Sequence, residues 1–483
     1  MKGLRRFLKG AAIVSLGGIV AKALGVAYKI PLANYLGGYG EGLYQMSYPL
    51  FCLMLTFSSV GIPTVVARAV AAECALGRSG RGVLRSALSL FAALGICGSA
   101  LMAALALPVA RMQGDLSLTG CYYALAPAVF PVALISVLRG YWQGRGVMTP
   151  TAASEIAEQL VKTCLGLLFV SRYADDAVAA ARGALFAVTI SEFAALFLLS
   201  MRPPERERFF CVRKQGGGVL FLSALPVMAS AALLPLSQTL DSVLIVRLLS
   251  RYTSRAVSLY GLFAGSTLSL VQLPATLCSG LVAAAVPAIS ACCARGEEEL
   301  GRERALTAVC VCLVLSLPCA VALFFGAPLA TKLLYPSLGA PDAALLVKLL
   351  RLCSVSAVTL AAVDTLAACL VALGRAGYAA GSMAVAVLFK ALMQGLLVGN
   401  ASLGIVGAAI ASNTCYLVAF FLDLFYTVKK KRVKQNDNGH RSRSASGRRD
   451  EARARRTLFG GSRPRAHGGA SVDQRSDGSG NCI

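Results

Sequence analysis

"RGYWQGRGVMTPTAASEIAEQLVK", Arg139–Lys162, is a charged interruption in a chain that is apolar on both sides of it. Arg139 and Arg145 belong to a turn, and Pro150 favours a helix start after it. In that helix Glu155, Glu158 and Lys162 recur at spacings of three and four residues, so they share one face. The surrounding chain decides what such a stripe means. Of 483 residues, 57% are hydrophobic and 14% charged, and the mean hydropathy is +0.68. A soluble chain keeps about a quarter of its residues charged. Here apolar runs near the spanning length of about 20 residues recur from end to end. They are rich in Gly, Ala, Leu and Ser and lack the alternation of barrel strands. The reading is an all-α polytopic membrane protein with ionisable groups placed inside it.

Twelve spans are expected, near residues 11–30, 43–67, 84–107, 120–141, 152–171, 183–200, 218–247, 258–290, 305–326, 344–370, 378–399 and 404–428. Orientation follows from the excess of Lys and Arg in cytoplasmic loops. One set of loops carries Lys2, Arg5, Arg6 and Lys9, then Arg78, Arg81 and Arg85, then Arg139 and Arg145. The same set continues with "MRPPERERFFCVRKQGGG", Arg295, Arg302 and Arg304, Arg375, and "KKKRVK". The other set is poorer, with Arg111, Arg172, Arg182 and Lys332. Both termini are therefore expected in the cytoplasm. Arg247, Arg251 and Arg255, after the seventh span, break the pattern.

The basic segment 201–217 divides six spans from six, giving an N-terminal lobe over 1–200 and a C-terminal lobe over 218–428. An internal repeat supports that division. "VGIPTVVARAV" in span two matches "AAAVPAISACC" in span eight, pairing Pro63 with Pro287. "QGRGVM" matches "LGRAGY", pairing Arg145 with Arg375, and the two offsets agree at about 224 and 230 residues. The prolines are expected to bend or end their helices where neighbours and cavity water satisfy the freed backbone.

The net charge of +24 is unevenly placed. Lys429–Ile483 holds 15 Lys/Arg against 5 Asp/Glu, which puts +10 in the tail and +14 before it. Concentration in alternate loops marks an oriented membrane protein rather than a nucleic-acid binder. The tail, 429–483, is rich in Arg, Ser and Gly and is open to three readings. It is a disordered cytoplasmic tail, an arginine-rich segment for anionic lipid or RNA, or an out-of-frame segment replacing further spans. Most of the 16 cysteines lie in apolar runs and read as small buried residues. Both histidines, His440 and His467, are in the tail. With no metal-ligand spacing and no histidine in the spans, neither a metal, a cofactor nor an enzyme is expected. "MKGLRRFLKG" leads into an apolar run without a clear cleavage site, so the first span reads as uncleaved.

A charge at mid-bilayer costs at least about 2.5–3.5 kcal/mol, so it normally faces a partner or a wet cavity. The candidates are Lys22 and Lys29 in span one, Glu155, Glu158 and Lys162 in span five, and Asp241 and Arg247 in span seven. Asp364, Lys390 and Asp423 follow in spans ten to twelve. Lys29, Arg247 and Asp423 lie near span ends, where snorkelling explains a charge. Glu158 and Lys162 form an i,i+4 pair that neutralises itself. Glu155 starts its helix, where the dipole favours a carboxylate. Lys22, Asp241, Asp364 and Lys390 lie deeper, and Asp241 has no obvious local partner.

"LRGYWQGRGVMTPTAASEIAEQLVK", "YGEGLYQMSYPL", "ALPVMASAALLPLSQTLDSVLIVRLL" and "LVAAAVPAIS" resemble the stage V sporulation protein B group of polysaccharide-biosynthesis membrane proteins, over about residues 1–430. That group is similar to the MurJ-type lipid II flippases and to the MATE-like exporters of the multidrug/oligosaccharidyl-lipid/polysaccharide class. The resemblance implies two six-helix lobes around a central cavity in a bacterial plasma membrane. It implies export of an undecaprenyl-linked oligosaccharide for peptidoglycan or spore-cortex synthesis. It also implies that Lys22, in "AKALGVAYK", lines the cavity, and that Asp241, in "QTLDSVLIV", binds a coupling cation, with Gln394 and Thr414 as further candidates. The chain departs from the pattern in two places. Span eight carries no cationic residue, unlike typical MurJ proteins, and an Arg/Ser/Gly tail stands where relatives carry two more spans.

The expected cargo is thus a diphosphate bearing sugars and an isoprenoid, carried by a monomer amid membrane lipids without nucleic acid. Lys22 and Lys29 would bind the diphosphate as point charges. The span-five stripe, with Asp364 and Lys390, would meet sugar or peptide groups in the cavity between the lobes. Rocking of the lobes, driven by Na+, H+ or the membrane potential, would expose the site alternately. A MATE-type exporter of small organic cations is the alternative, using the buried carboxylates; the lysines argue against it.

Overall fold

The computed structural model describes residues 2–59, 61–201, 228 and 231–429. Side chains within 1–16, and those of Ile19, Lys22, Ala283 and Ala284, lie outside the described residues, as do most of the 201–217 linker and the tail from residue 430. The described chain is helical throughout. The elements are α1 (Lys2–Ser59), α2 (Ile62–Ala75), α3 (Arg81–Gln113), α4 (Leu118–Leu125), α5 (Val129–Gly144), α6 (Thr149–Arg172) and α7 (Ala177–Ser200). They continue with α8 (Leu233–Leu249), α9 (Ala256–Gly261), α10 (Leu268–Val271), α11 (Leu273–Ala294), α12 (Glu298–Leu334), α13 (Ala340–Ala372), α14 (Ala376–Leu397) and α15 (Ile405–Val428). A 3-10 turn, Ala126–Ala128, joins α4 to α5, and a π-helical turn, Leu262–Thr267, joins α9 to α10.

Among the described residues, 9 helices are long and apolar enough to cross a membrane. The expected twelve segments differ from these for local reasons. Spans one and two run together as Ala23–Ala75. Gly37 turns the chain inside α1 at φ 62, a left-handed angle that a Cβ would strain. Span five is α6, whose Glu155, Glu158 and Lys162 keep it out of the apolar set, and span seven is described only from Ala231. The two repeat prolines behave differently. The helix breaks at Gly61, φ 81, so that Pro63 sits in the first turn of α2. Pro287 lies inside a continuous α11, so it does not end span eight as the Gly61–Pro63 break ends span two.

Packing is close within each half of the chain: α1 with α6, α6 with α7, and α2 and α3 with α5; then α12 with α13, α13 with α15, and α14 with α15. The halves also share one large apolar core. It brings Leu32, Leu43, Met46 and Phe51 of α1 together with Tyr122, Leu185, Ile245, Phe263 and Leu349. These residues lie toward the helix ends joined by the loops near 37, 115, 175, 252, 337 and 401. Toward the opposite ends the cores are separate. Ile62, Val66, Phe91 and Tyr141 fill one, and Ile289, Ala305 and Cys369 another.

Polar contacts seal the shared end. Gln113 Nε2 donates to Ser242 Oγ (2.8 Å) and to the Met46 carbonyl (3.1 Å), while Tyr122 OH donates to Gln113 Oε1 (2.6 Å). Asn34 Nδ2 donates to the Leu334 carbonyl (2.6 Å), and Ser337 Oγ to Asn34 Oδ1 (2.8 Å). Two of the arginines that broke the loop-charge pattern serve here. The exposed Arg247 Nε donates to the Met112 carbonyl (2.6 Å), so it also bridges the halves. Arg255 binds both oxygens of Asp342 at 2.8 and 2.6 Å.

Candidate functional site

The ionisable side chains inside the bundle gather into two clusters. In the first half, α5 brings Arg139 onto the α6 stripe. Its Nη2 meets Glu158 Oε2 at 3.0 Å and its Nε donates to Ser154 Oγ at 2.9 Å. Glu158 thus pairs with Arg139, where the helical spacing had offered Lys162 as its neutralising partner. Gln159 Nε2 adds a contact to Glu158 Oε1 at 3.3 Å. From α7, the buried Glu192 lies within the field of Arg139, Glu158 and Lys162. From α1, Lys29 lies within the field of Lys162 and of Glu41. Neither lysine forms an ion pair among the described residues.

The α6 stripe therefore meets helices of its own half, while Glu155, Glu158 and Lys162 each remain only partly buried. Glycines of α1 allow this approach. A Cβ on Gly25 would lie 3.3 Å from Gln159 Oε1, and one on Gly18 3.9 Å from Glu155 Oε2. Glu155 is accordingly set against α1 and is within reach of Arg139 and Glu158. Lys22 lies on α1, but its side chain is outside the described residues.

In the second half, Lys390 Nζ of α14 donates to Asp241 Oδ2 of α8, and Gln394 Nε2 donates to Asp241 Oδ1 at 2.8 Å. Asp241 is thus paired, although no partner was visible along its own span. Tyr416 of α15 lies within the field of Lys390, Asp241 and Asp364. Asp364 is on an exposed face of α13. Thr414 Oγ1 donates to the Ile410 carbonyl at 2.8 Å, within its own helix, and makes no hydrogen bond to Asp241 among the described residues. Asp423 is buried at 2% exposure, in contrast to a snorkelling residue, with Oδ1 unpartnered among the described residues.

These clusters use corresponding helices of the two halves. The first draws on α1, α5, α6 and α7, which are spans one, four, five and six. The second draws on α8, α13, α14 and α15, which are spans seven, ten, eleven and twelve. The first is formally neutral, with Lys29, Arg139 and Lys162 against Glu155, Glu158 and Glu192. Glu192 escaped the sequence reading, although a lone carboxylate in "TISEFAALF" carries the same signal as Asp241. Glu41 escaped it because it stands beside an expected loop.

No group of acidic, His or Cys side chains suited to a metal ion occurs among the described residues. Two shallow apolar grooves, of about 370 and 510 Å³, lie outside the clusters on the faces of α12 and α13. Phe324 and Val355 line both, and Lys348 and Arg351 of α13 with Val406 and Ile410 of α15 add to the larger.

The described residues thus form an all-helical, multi-pass membrane bundle whose charged side chains gather inside each of two linked halves. The chain belongs to the polysaccharide biosynthesis protein family, whose model matches residues 7–292. It is 28% identical to stage V sporulation protein B of Bacillus subtilis (strain 168) over 424 residues, covering 84% of this chain and 81% of that protein. It is 24% identical to the lipid II flippase MurJ of the same organism over 375 residues, covering 69% and 68%. Its fold matches the inward-facing structure of a multidrug resistance MATE family transporter of the MOP superfamily. The TM-score is 0.70, with 16% identity over 86% of this chain and 98% of that one.

Proposed function

We propose that this chain flips an undecaprenyl-linked oligosaccharide across a bacterial plasma membrane, for peptidoglycan or spore-cortex synthesis. The observation that carries the reading is the pair Lys29 and Lys162. They come from different helices, share one electrostatic environment, and lack an ion-pair partner among the described residues. Two like charges held together inside a bundle repel, and a diphosphate relieves that repulsion by binding both. Arg139 is already engaged by Glu158, so among the described residues of this cluster Lys29 and Lys162 are the cations without an ion pair. Glu155, Glu192 and Gln159 would accept or donate hydrogen bonds to sugar or peptide groups. The kinship with a lipid II flippase supports a lipid-linked cargo.

The two halves, as lobes 1–200 and 218–428, would rock about the shared end. In this conformation that end is closed and the cores at the other end are separate, so the cargo would enter where the basic loops lie. Positive-inside bias assigns that side, and both termini, to the cytoplasm. The monomer is the working unit in this reading.

The test is translocation in proteoliposomes of a fluorescent undecaprenyl-diphosphate sugar, read as loss of protection from an impermeant quencher. The expected result is protein-dependent flipping that Lys29→Ala and Lys162→Ala each reduce at least about tenfold, as loss of one charge-assisted contact would. Full activity in both variants at equal protein content would remove the lysines from the site. Uptake of an organic cation, without any flipping, would replace this reading with that of a MATE drug exporter.

A further inference from the structure

The closed end contains a carboxylate that the cargo site does not use. Glu41 follows the Gly37 turn in α1 and is 4% exposed. Its Oε1 accepts from Gln45 Nε2 at 3.0 Å, while Oε2 is buried and has no hydrogen-bond partner among the described residues. The side chain crosses into the second half and fills the place where residue 265 would carry one. A Cβ on Gly265 would lie 1.8 Å from Glu41 Oε1. Gly265 belongs to the π-helical turn Leu262–Thr267, an irregularity found chiefly where function needs it. Around it the two backbones touch. A Cβ on Gly42 would lie 2.3 Å from the Val257 carbonyl oxygen, and one on Gly261 2.5 Å from that of Gly38.

The groups facing Glu41 are few. Tyr28, Lys29 and Tyr44 come from α1, and Tyr335 from the segment after α12. The π turn, "LFAGST", brings no ionisable side chain. Lys29 acts at a distance and makes no ion pair with Glu41 among the described residues. The enclosed space beside Glu41 also touches Ser266, Tyr335 and Ser337 and holds about 10 Å³. That is roughly the room of one water and far too little for a sugar or a phosphate.

An ionised carboxylate buried with one amide donor is strongly disfavoured. A proton on Oε2 removes the charge and turns the orphaned atom into a donor. When the halves part at this end, water reaches Glu41 and the ionised form becomes acceptable. We propose that Glu41 is a proton-binding site at the seam between the halves, and that its protonation latches this end closed. The proton comes from the water that enters when the seam opens and returns to it at the next opening. The proposal rests on the alternating-access reading; because the proton is bound and released at the same end, it gates that end and does not itself drive transport.

The test is amide hydrogen exchange on the full chain in nanodiscs at pH 6 and pH 8.5, corrected for intrinsic rates, in peptides spanning 38–48 and 256–268. Wild type should exchange there about tenfold faster at the higher pH, within the usual range of site-to-site coupling. Glu41→Gln, which mimics the protonated form, should stay slow at both, with exchange over 345–370 unchanged as a folding control. Gly265→Ala, which displaces Glu41, should be fast at both. Equal protection of wild type at the two pH values, or a Glu41→Gln protein that follows wild type, overturns the latch. So does protection of wild type at pH 8.5 by added sodium, which would make the ion a metal cation. No cargo is present, so failure here leaves the flippase reading intact. An intact pH response without flipping would sink the cargo reading alone.

Discussion

Asp241 and Lys390 show how burial changes the meaning of a charge. Their side chains are 14% and 10% exposed, and each is the other's counter-ion, with Gln394 holding the second carboxylate oxygen. Removing one partner strands the other. Asp241→Asn should therefore destabilise the protein by about 3–5 kcal/mol, the usual effect of breaking a buried pair. Asp241→Asn combined with Lys390→Met should recover most of that loss. Denaturant unfolding in detergent measures both. A stable Asp241→Asn protein that loses only its dependence on a transported cation would instead make Asp241 the ion site. Arg139 and Glu158 present the same logic in the first half, where Ser154 completes the set.

At the scale of elements, small residues decide which helices can bring their charges together. Lys29 and Lys162 share one electrostatic environment because α1 and α6 pack together, and Gly166 of α6 is one place where the helices touch. A Cβ there would lie 2.3 Å from the Tyr28 hydroxyl oxygen, and Tyr28 is buried in the shared core. Gly166→Val should cost about 1–3 kcal/mol by overpacking. It should also lower flipping, because the two lysines separate with their helices. Gly280→Val is the control, since nothing lies within 4 Å of a Cβ at Gly280. Equal thermal unfolding of the two variants would show that α1 and α6 have room to shift.

For the whole molecule, the shared core at one end makes closure there the ground state of this conformation. Transport by alternating access requires it to open. Asn34 lies in the first half and Ser337 in the second, joined by a 2.8 Å hydrogen bond. A cysteine at each position, with the exposed native Cys97, Cys164 and Cys310 replaced, should cross-link under mild oxidation. Cross-linking should stop flipping in proteoliposomes, and reduction should restore it. Undiminished flipping in the fully cross-linked protein would mean that this end never opens.

The amino-acid sequence by itself determined the spans and their class, because apolar length and helical period are properties of contiguous residues. Span five was found despite its charges, since its stripe obeys the same period. Asp241, Lys390 and Gln394 were each visible as polar groups in apolar runs, but Asp241 and Gln394 were assigned to a cation and Lys390 to the cargo. Only the tertiary structure joined Lys390 to Asp241 across 149 residues of chain, and Arg139 to Glu158 across 19. It also decided that Glu41 is buried at a seam, although the residue stands beside a glycine turn that reads as a loop. The reason is physical. Transfer of a segment into lipid depends on its own composition, whereas the energy of a buried charge depends on what the rest of the fold places against it.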